Sequence, residues 1–157
     1  MRDLQIRRPG GFTSFSALPG RYKKLLLSAK EAIENGYNPY TKTKVGAAIL
    51  AANGKVVSAA NVTNKAKWNS ICAERAAIVK ANSEGMRRFI AIAVIGRKKH
   101  EGQTQKRYIF TPCGPCRQFI YEFTKPSRRD IDVIMSDMRM NNILVMKISE
   151  LLPMAYD

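Results

Sequence analysis

Two short segments concentrate the residues able to do chemistry: Cys72-Ala73-Glu74 and Pro112-Cys113-Gly114-Pro115-Cys116. Three thiolates suit Zn²⁺, and three protein ligands leave the fourth tetrahedral position to water, the arrangement of a catalytic site. A lone Cys-x-x-Cys also serves redox sites and zinc knuckles; the third cysteine and the nearby carboxylate narrow the reading. Each segment stands where a helix is expected to begin, and the partial positive charge of a helix N-terminus favours the thiolate that a metal requires. Three thiolates and Zn²⁺ sum to −1, an excess that would oppose ionisation of a bound water. Arg75 stands where it could offset that charge; the plainer alternative is an ordinary helix-surface arginine. Glu74, two residues from a metal ligand, can reach the water without ligating the ion. It can then act as general base and later as general acid. The plainer alternative is a first-turn glutamate placed for the helix dipole. Its place beside all three cysteines favours catalysis.

These residues need a scaffold, and the rest of the chain supplies one. Leu25, Leu26, Ala29, Ala32 and Ile33 recur at helical spacing within 22–34, and Asn35-Gly36 supplies a stop. Residues 45–51 and 55–60 read as strands joined at Asn53-Gly54, a strong hairpin turn. A helix is expected over 71–83, and a nearly all-apolar buried strand over 89–95. A basic loop follows over 97–107. A second cysteine-led helix then runs to about Phe123, strands are expected over 131–135 and 143–148, and a helical turn over 149–152. The expected architecture is α/β, a mixed sheet of about five strands with helices packed on it. Residues 1–20, with Arg2, Arg7, Arg8, Pro9, Gly10, Gly11 and Pro19, read as a basic flexible tail, and 21–157 as a single domain.

Composition bounds the setting. Hydrophobic residues make up 45% and charged residues 25% of the chain, which excludes wholesale disorder. The longest apolar runs fall far short of the roughly 20 residues a bilayer span needs, so no membrane role is expected. Lys plus Arg number 27 and Asp plus Glu 12, a net charge of +15. Such a surface suits an acidic partner, with nucleic acid one candidate and a solvated basic face the alternative. An odd cysteine count without a signal-peptide pattern points to a reduced, cytoplasmic setting. A mitochondrial or nuclear address stays open, although Pro9-Gly10-Gly11 would interrupt a presequence helix.

The layout of the two motifs is that of zinc deaminases, and the chain resembles the small homotetrameric cytidine deaminase family, with blasticidin S deaminase a related branch. The resemblance runs over about residues 20–156. It includes Tyr37-Asn38-Pro39-Tyr40, Val45-Gly46-Ala47-Ala48, Asn61-Val62, Cys72-Ala73-Glu74-Arg75, Ser83-Glu84-Gly85, Cys113-Gly114-Pro115-Cys116-Arg117-Gln118 and Glu150-Leu151-Leu152-Pro153. It implies a three-layer α/β/α sandwich around a mixed five-stranded sheet, and zinc on Cys72, Cys113 and Cys116. It implies that hydroxide attacks C4 of cytosine in cytidine, deoxycytidine or a related nucleoside while Glu74 shuttles protons, releasing ammonia. It further implies a homotetramer, a pocket lined by Thr43, Asn61, Thr63 and Ala73, with Asn61 on the ribose, and Tyr156 stacking on the base in a neighbouring subunit's site.

Two positions depart from the family pattern. Thr43 stands where the family has a phenylalanine lining the base pocket, and Thr63 where it has a glutamate on the ribose 3′-hydroxyl. Each loss is worth roughly 1–3 kcal/mol. The departures fit a pocket widened for a modified nucleoside or for a base within RNA or single-stranded DNA. They also fit a zinc-stabilised subunit without ordinary cytidine activity. The basic pairs Arg87-Arg88, Lys98-Lys99, Lys106-Arg107 and Arg128-Arg129 could track a phosphate backbone. Trp68, Tyr108 and Phe110 are candidate stacking residues, although each also reads as core or interface. His100 reads as solvated.

Overall fold

A computed structural model of the chain describes residues 11–98 and 108–156. Most of the basic tail, and the loop that carries His100, Lys106 and Arg107, lie outside the described residues. The first element is a two-residue strand, β1 (Phe12–Thr13), followed by α1 (Gly20–Ala32), β2 (Lys44–Ala51), β3 (Val56–Ala60), α2 (Ala73–Ser83) and β4 (Phe89–Arg97). The chain ends with α3 (Gly114–Glu122), α4 (Thr124–Ser127), β5 (Asp132–Ser136), β6 (Ile143–Lys147) and α5 (Ile148–Leu151).

One sheet runs through the molecule in the order β1-β6-β5-β4-β2-β3. Only β4 and β5 are parallel, and α3 and α4 supply the crossover that a parallel pair needs. β4, central and paired on both sides, is the all-apolar run read from the sequence. The hairpin turns at Asn53-Gly54, where Gly54 takes a φ of +84° and Asn53 Oδ1 accepts the Lys55 N–H at 3.1 Å.

Alternation along the strands divides the core in two. Ala47 and Ile49 of β2, Ile92 and Val94 of β4, and Val133 and Met135 of β5 face α2, α3 and α5. Ala48, Leu50, Ala91, Ala93, Ile95 and Ile134 face the opposite way, onto Tyr22, Leu25, Leu26, Ala29 and Ile33. These are the three layers expected. α1 and β2 approach so closely that a Cβ on Gly46 would lie 2.0 Å from the Ala29 carbonyl oxygen. A polar tie spans the same layers: the Tyr22 hydroxyl donates to Asp132 Oδ2 at 2.5 Å, and Lys147 Nζ lies 2.6 Å from Asp132 Oδ1.

The sheet has six strands where five were expected. The additional one, β1, lies in the segment read as a tail and pairs antiparallel with β6, Phe12 opposite Leu144 and Thr13 opposite Ile143. Nothing in its two residues alternates by hydropathy; the open edge of β6 sets its conformation. Leu18, also inside that segment, is buried with α1.

Candidate active site

Each cysteine motif opens a helix. Cys72 is the N-cap of α2 in extended backbone, and its carbonyl accepts the Ala76 N–H. Cys113 caps α3 in the same way, with Pro115 in the first turn and the Arg117 N–H on its carbonyl. The two N-termini converge. Cys72 Sγ and Cys113 Sγ are 3.8 Å apart, Cys113 Sγ and Cys116 Sγ 3.4 Å, and all three sulfurs lie within 4.8 Å of one another. An ion bonded tetrahedrally at about 2.3 Å to each sulfur requires S···S separations of about 3.8 Å. The cluster therefore fits zinc.

The electrostatics agree. Hydrogen bonding from Cys116 brings the Cys72 thiol down to about 5, against burial and with help from Cys113 and Arg75. Cys116 is correspondingly held above the ordinary thiol range, first by its hydrogen bond to Cys72 and then by burial. Burial disfavours the charge on Arg75, but the Cys72 and Cys116 sulfurs outweigh it and raise its pKa. Its Nη2 donates to the Ser70 carbonyl at 3.0 Å, while Nε is the one buried polar side-chain atom without a hydrogen bond among the described residues. That free N–H beside the sulfurs suits a thiolate and supports the charge-offsetting reading of Arg75.

Glu74, in the first turn of α2, is 4% exposed. Burial raises its carboxyl to about 7, the negative charge of Cys72 adds to this, and a backbone hydrogen bond and Arg75 draw it back. Such a carboxyl exchanges its proton near neutral pH.

Glu74, Cys72, Cys113 and Ala73 open onto a cavity of about 280 Å³. Thr43, Asn61 and Thr63 line the same cavity, so most of the residues read from the sequence meet there. Asn61 joins both walls. Its Oδ1 accepts the Val45 N–H at 2.8 Å, and its Nδ2 donates to the Thr43 carbonyl and the Thr63 hydroxyl at 3.3 and 3.4 Å. Tyr156 is elsewhere. It is 86% exposed, and its backbone N–H and carbonyl are both held by the Gln118 side chain, at 3.1 and 2.7 Å.

Sequence reasoning missed Asn38, Ser70 and Ile71 as lining residues and left Phe110 undecided. Phe110 reaches the cavity because Gly96 gives it room: a Cβ there would meet the ring at 2.7 Å. Tyr108 supports the ring edge-on at 4.8 Å. The aromatic wall missing at Thr43 is thus supplied from the segment before α3.

Comparison with known proteins agrees with this geometry. Residues 20–128 match the profile of the family described as the cytidine and deoxycytidylate deaminase zinc-binding region. A cytidine deaminase of Sporosarcina psychrophila is 43% identical over 105 residues, 67% of this chain and 71% of the relative. One from Halalkalibacterium halodurans is 37% identical over 132 residues, 84% and 91% of the two chains. The crystal structure of cytidine deaminase from Burkholderia pseudomallei superposes with a TM-score of 0.72 at 36% identity, covering 85% of this chain and 97% of the other.

Proposed function

Given that the chain belongs to the cytidine and deoxycytidylate deaminase zinc-binding family, we propose that it hydrolyses the C4 amino group of a cytosine nucleoside, cytidine, deoxycytidine or a relative, to the uracil form. The observation that carries this reading is the buried Glu74 carboxyl, raised to about 7 and facing a cavity shared with Cys72 and Cys113. Cys72, Cys113 and Cys116 would hold zinc, which when bound supplies an activated water beside Glu74.

The chain's own groups then divide the work. Phe110 offers a face to the base, and the cavity's threonines border its sugar end. Glu74 takes a proton from the attacking water and gives it to the ring nitrogen next to C4. It next carries the proton of the new hydroxyl to the amino group, which leaves as ammonia. Water and cytosine are consumed, and uracil and ammonia formed. Arg75 offsets the thiolate charge.

The ultraviolet shift from cytosine to uracil tests this on zinc-loaded protein. Glu74→Gln should lower turnover by at least about a hundredfold with zinc content unchanged. A variant as active as the parent would remove Glu74 from the mechanism. A folded, zinc-bound parent inert toward both cytidine and deoxycytidine would remove the free-nucleoside reading.

A further inference from the structure

The cavity's sugar end has a polarity and a charge that the proposed reaction does not use. Its two amides are occupied by the chain itself. Asn38 Oδ1 accepts the Tyr40 and Thr41 N–H groups, and its Nδ2 donates to the Thr41 hydroxyl and the Thr43 carbonyl. Both Asn61 N–H groups are also spent, one of them on Thr63 Oγ1. That bond makes Thr63 Oγ1 an acceptor toward Asn61 and leaves its O–H to donate into the cavity. Glu74 is the only carboxylate lining the cavity, and it lies at the sulfur end. The opposite end presents a donor and offers no anion to receive a sugar hydroxyl.

The rim adds positive charge. From Glu34 to Glu74 the sequence contains no acidic residue, while Lys42, Lys44, Lys55, Lys65 and Lys67 fall between them. This stretch carries Asn38, Thr43, Asn61, Thr63 and Ser70, so it forms the sugar end of the cavity. Lys42 adjoins Thr43, held outward by a turn with φ +59°, and Lys65 and Lys67 lie between Thr63 and Ser70. All three are exposed, and none is in an ion pair with a described residue. Glu34, the acid at the near end of the stretch, is taken by Arg97 at 2.9 Å. Donors within and ammonium groups at the lip select an acceptor-only, anionic group.

We propose that the substrate of this site is a cytosine nucleoside whose sugar carries a phosphate ester, held at the rim by Lys42, Lys65 and Lys67. The inference rests on the deamination reading above. The phosphate could belong to a free nucleotide or to a single strand.

The test compares deoxycytidine, its 5′- and 3′-monophosphates and a four-residue single-stranded oligodeoxycytidine on zinc-loaded protein at low and high salt. A phosphate-bearing ligand should show kcat/KM at least about tenfold above deoxycytidine at low salt, and salt should erase most of that advantage. A combined Lys42→Gln, Lys65→Gln and Lys67→Gln variant should lose the advantage. Lys23→Gln, Lys24→Gln and Lys30→Gln on α1 remove the same net charge and should keep it. A mononucleotide preferred over the oligomer assigns a free nucleotide; the reverse assigns a strand. A ratio near or below one, or equal loss in both variants, overturns the proposal. If no ligand is turned over, the deamination reading fails, and the same ratio taken from dissociation constants by calorimetry still decides this inference.

Discussion

Phe110 shows how one residue's role depends on a neighbour far from the motif. Its ring reaches the cavity only because Gly96, at the end of β4, has no side chain in the way. Stacking on a base is worth about 1–3 kcal/mol. Phe110→Ala should therefore raise KM for a cytosine substrate by about tenfold or more while leaving zinc content unchanged; steady-state kinetics with metal analysis checks this. An unchanged KM would make the ring purely structural. The sequence named Cys72, Glu74, Cys113 and Cys116 readily, because their chemistry is local to short motifs. Phe110 was one aromatic among several, and its position follows from a contact with Gly96 that no local pattern encodes. Asn38 was missed for a similar reason: its hydrogen bonds to Thr41 and Thr43 shape a turn that becomes a cavity wall only after folding.

At the scale of elements, the sulfurs join two helices that otherwise meet only at their ends. Cys72 caps α2, Cys113 caps α3, and 41 residues separate them. A metal ion there links the two helix starts on one face of the sheet, and it binds the folded chain far better than the unfolded one. Removing it should destabilise the protein. A thousandfold excess of site over dissociation constant is worth about 4 kcal/mol, on the order of 10 °C in Tm for a domain of this size. Thermal denaturation with and without a strong chelator should show that drop, and Cys113→Ser should make Tm insensitive to chelator. Helix and strand identities were legible here because α1 and the strands carry clean periodicities. α4 was not, since Thr124–Ser127 is too short to show one and includes Pro126. β1 was not, since two residues cannot display alternation.

At the scale of the whole molecule, apolar side chains collect around the cavity mouth. Tyr37, Val62 and Ile71 lie side by side through the bridges Tyr37–Val62 and Val62–Ile71, and all three are exposed. Trp68, on the same segment, is 85% exposed. A mouth of this kind is suited to cover by other copies of the chain. We expect a homotetramer in which Tyr156 of one copy reaches the cavity of another. Light scattering should return four chains, and Tyr156→Ala should raise KM without dissociating them. A monomer would remove Tyr156 from the site. Charge, by contrast, was legible only as a total: +15 stood in the composition, but the acid-free stretch acquires meaning only where folding wraps it around one end of a cavity.

The two residues of β1 have an effect out of proportion to their length. A β-sheet ends in rows of unpaired N–H and C=O groups that invite another sheet to add on. Phe12 and Thr13 occupy that row on β6 opposite Leu144 and Ile143, at the strand's start, while Lys147 stands at its far end bound to Asp132. A short self-supplied cover and a terminal charge leave little free ladder on that side. The segment leading into the domain thus acts as a guard against fibre-like stacking.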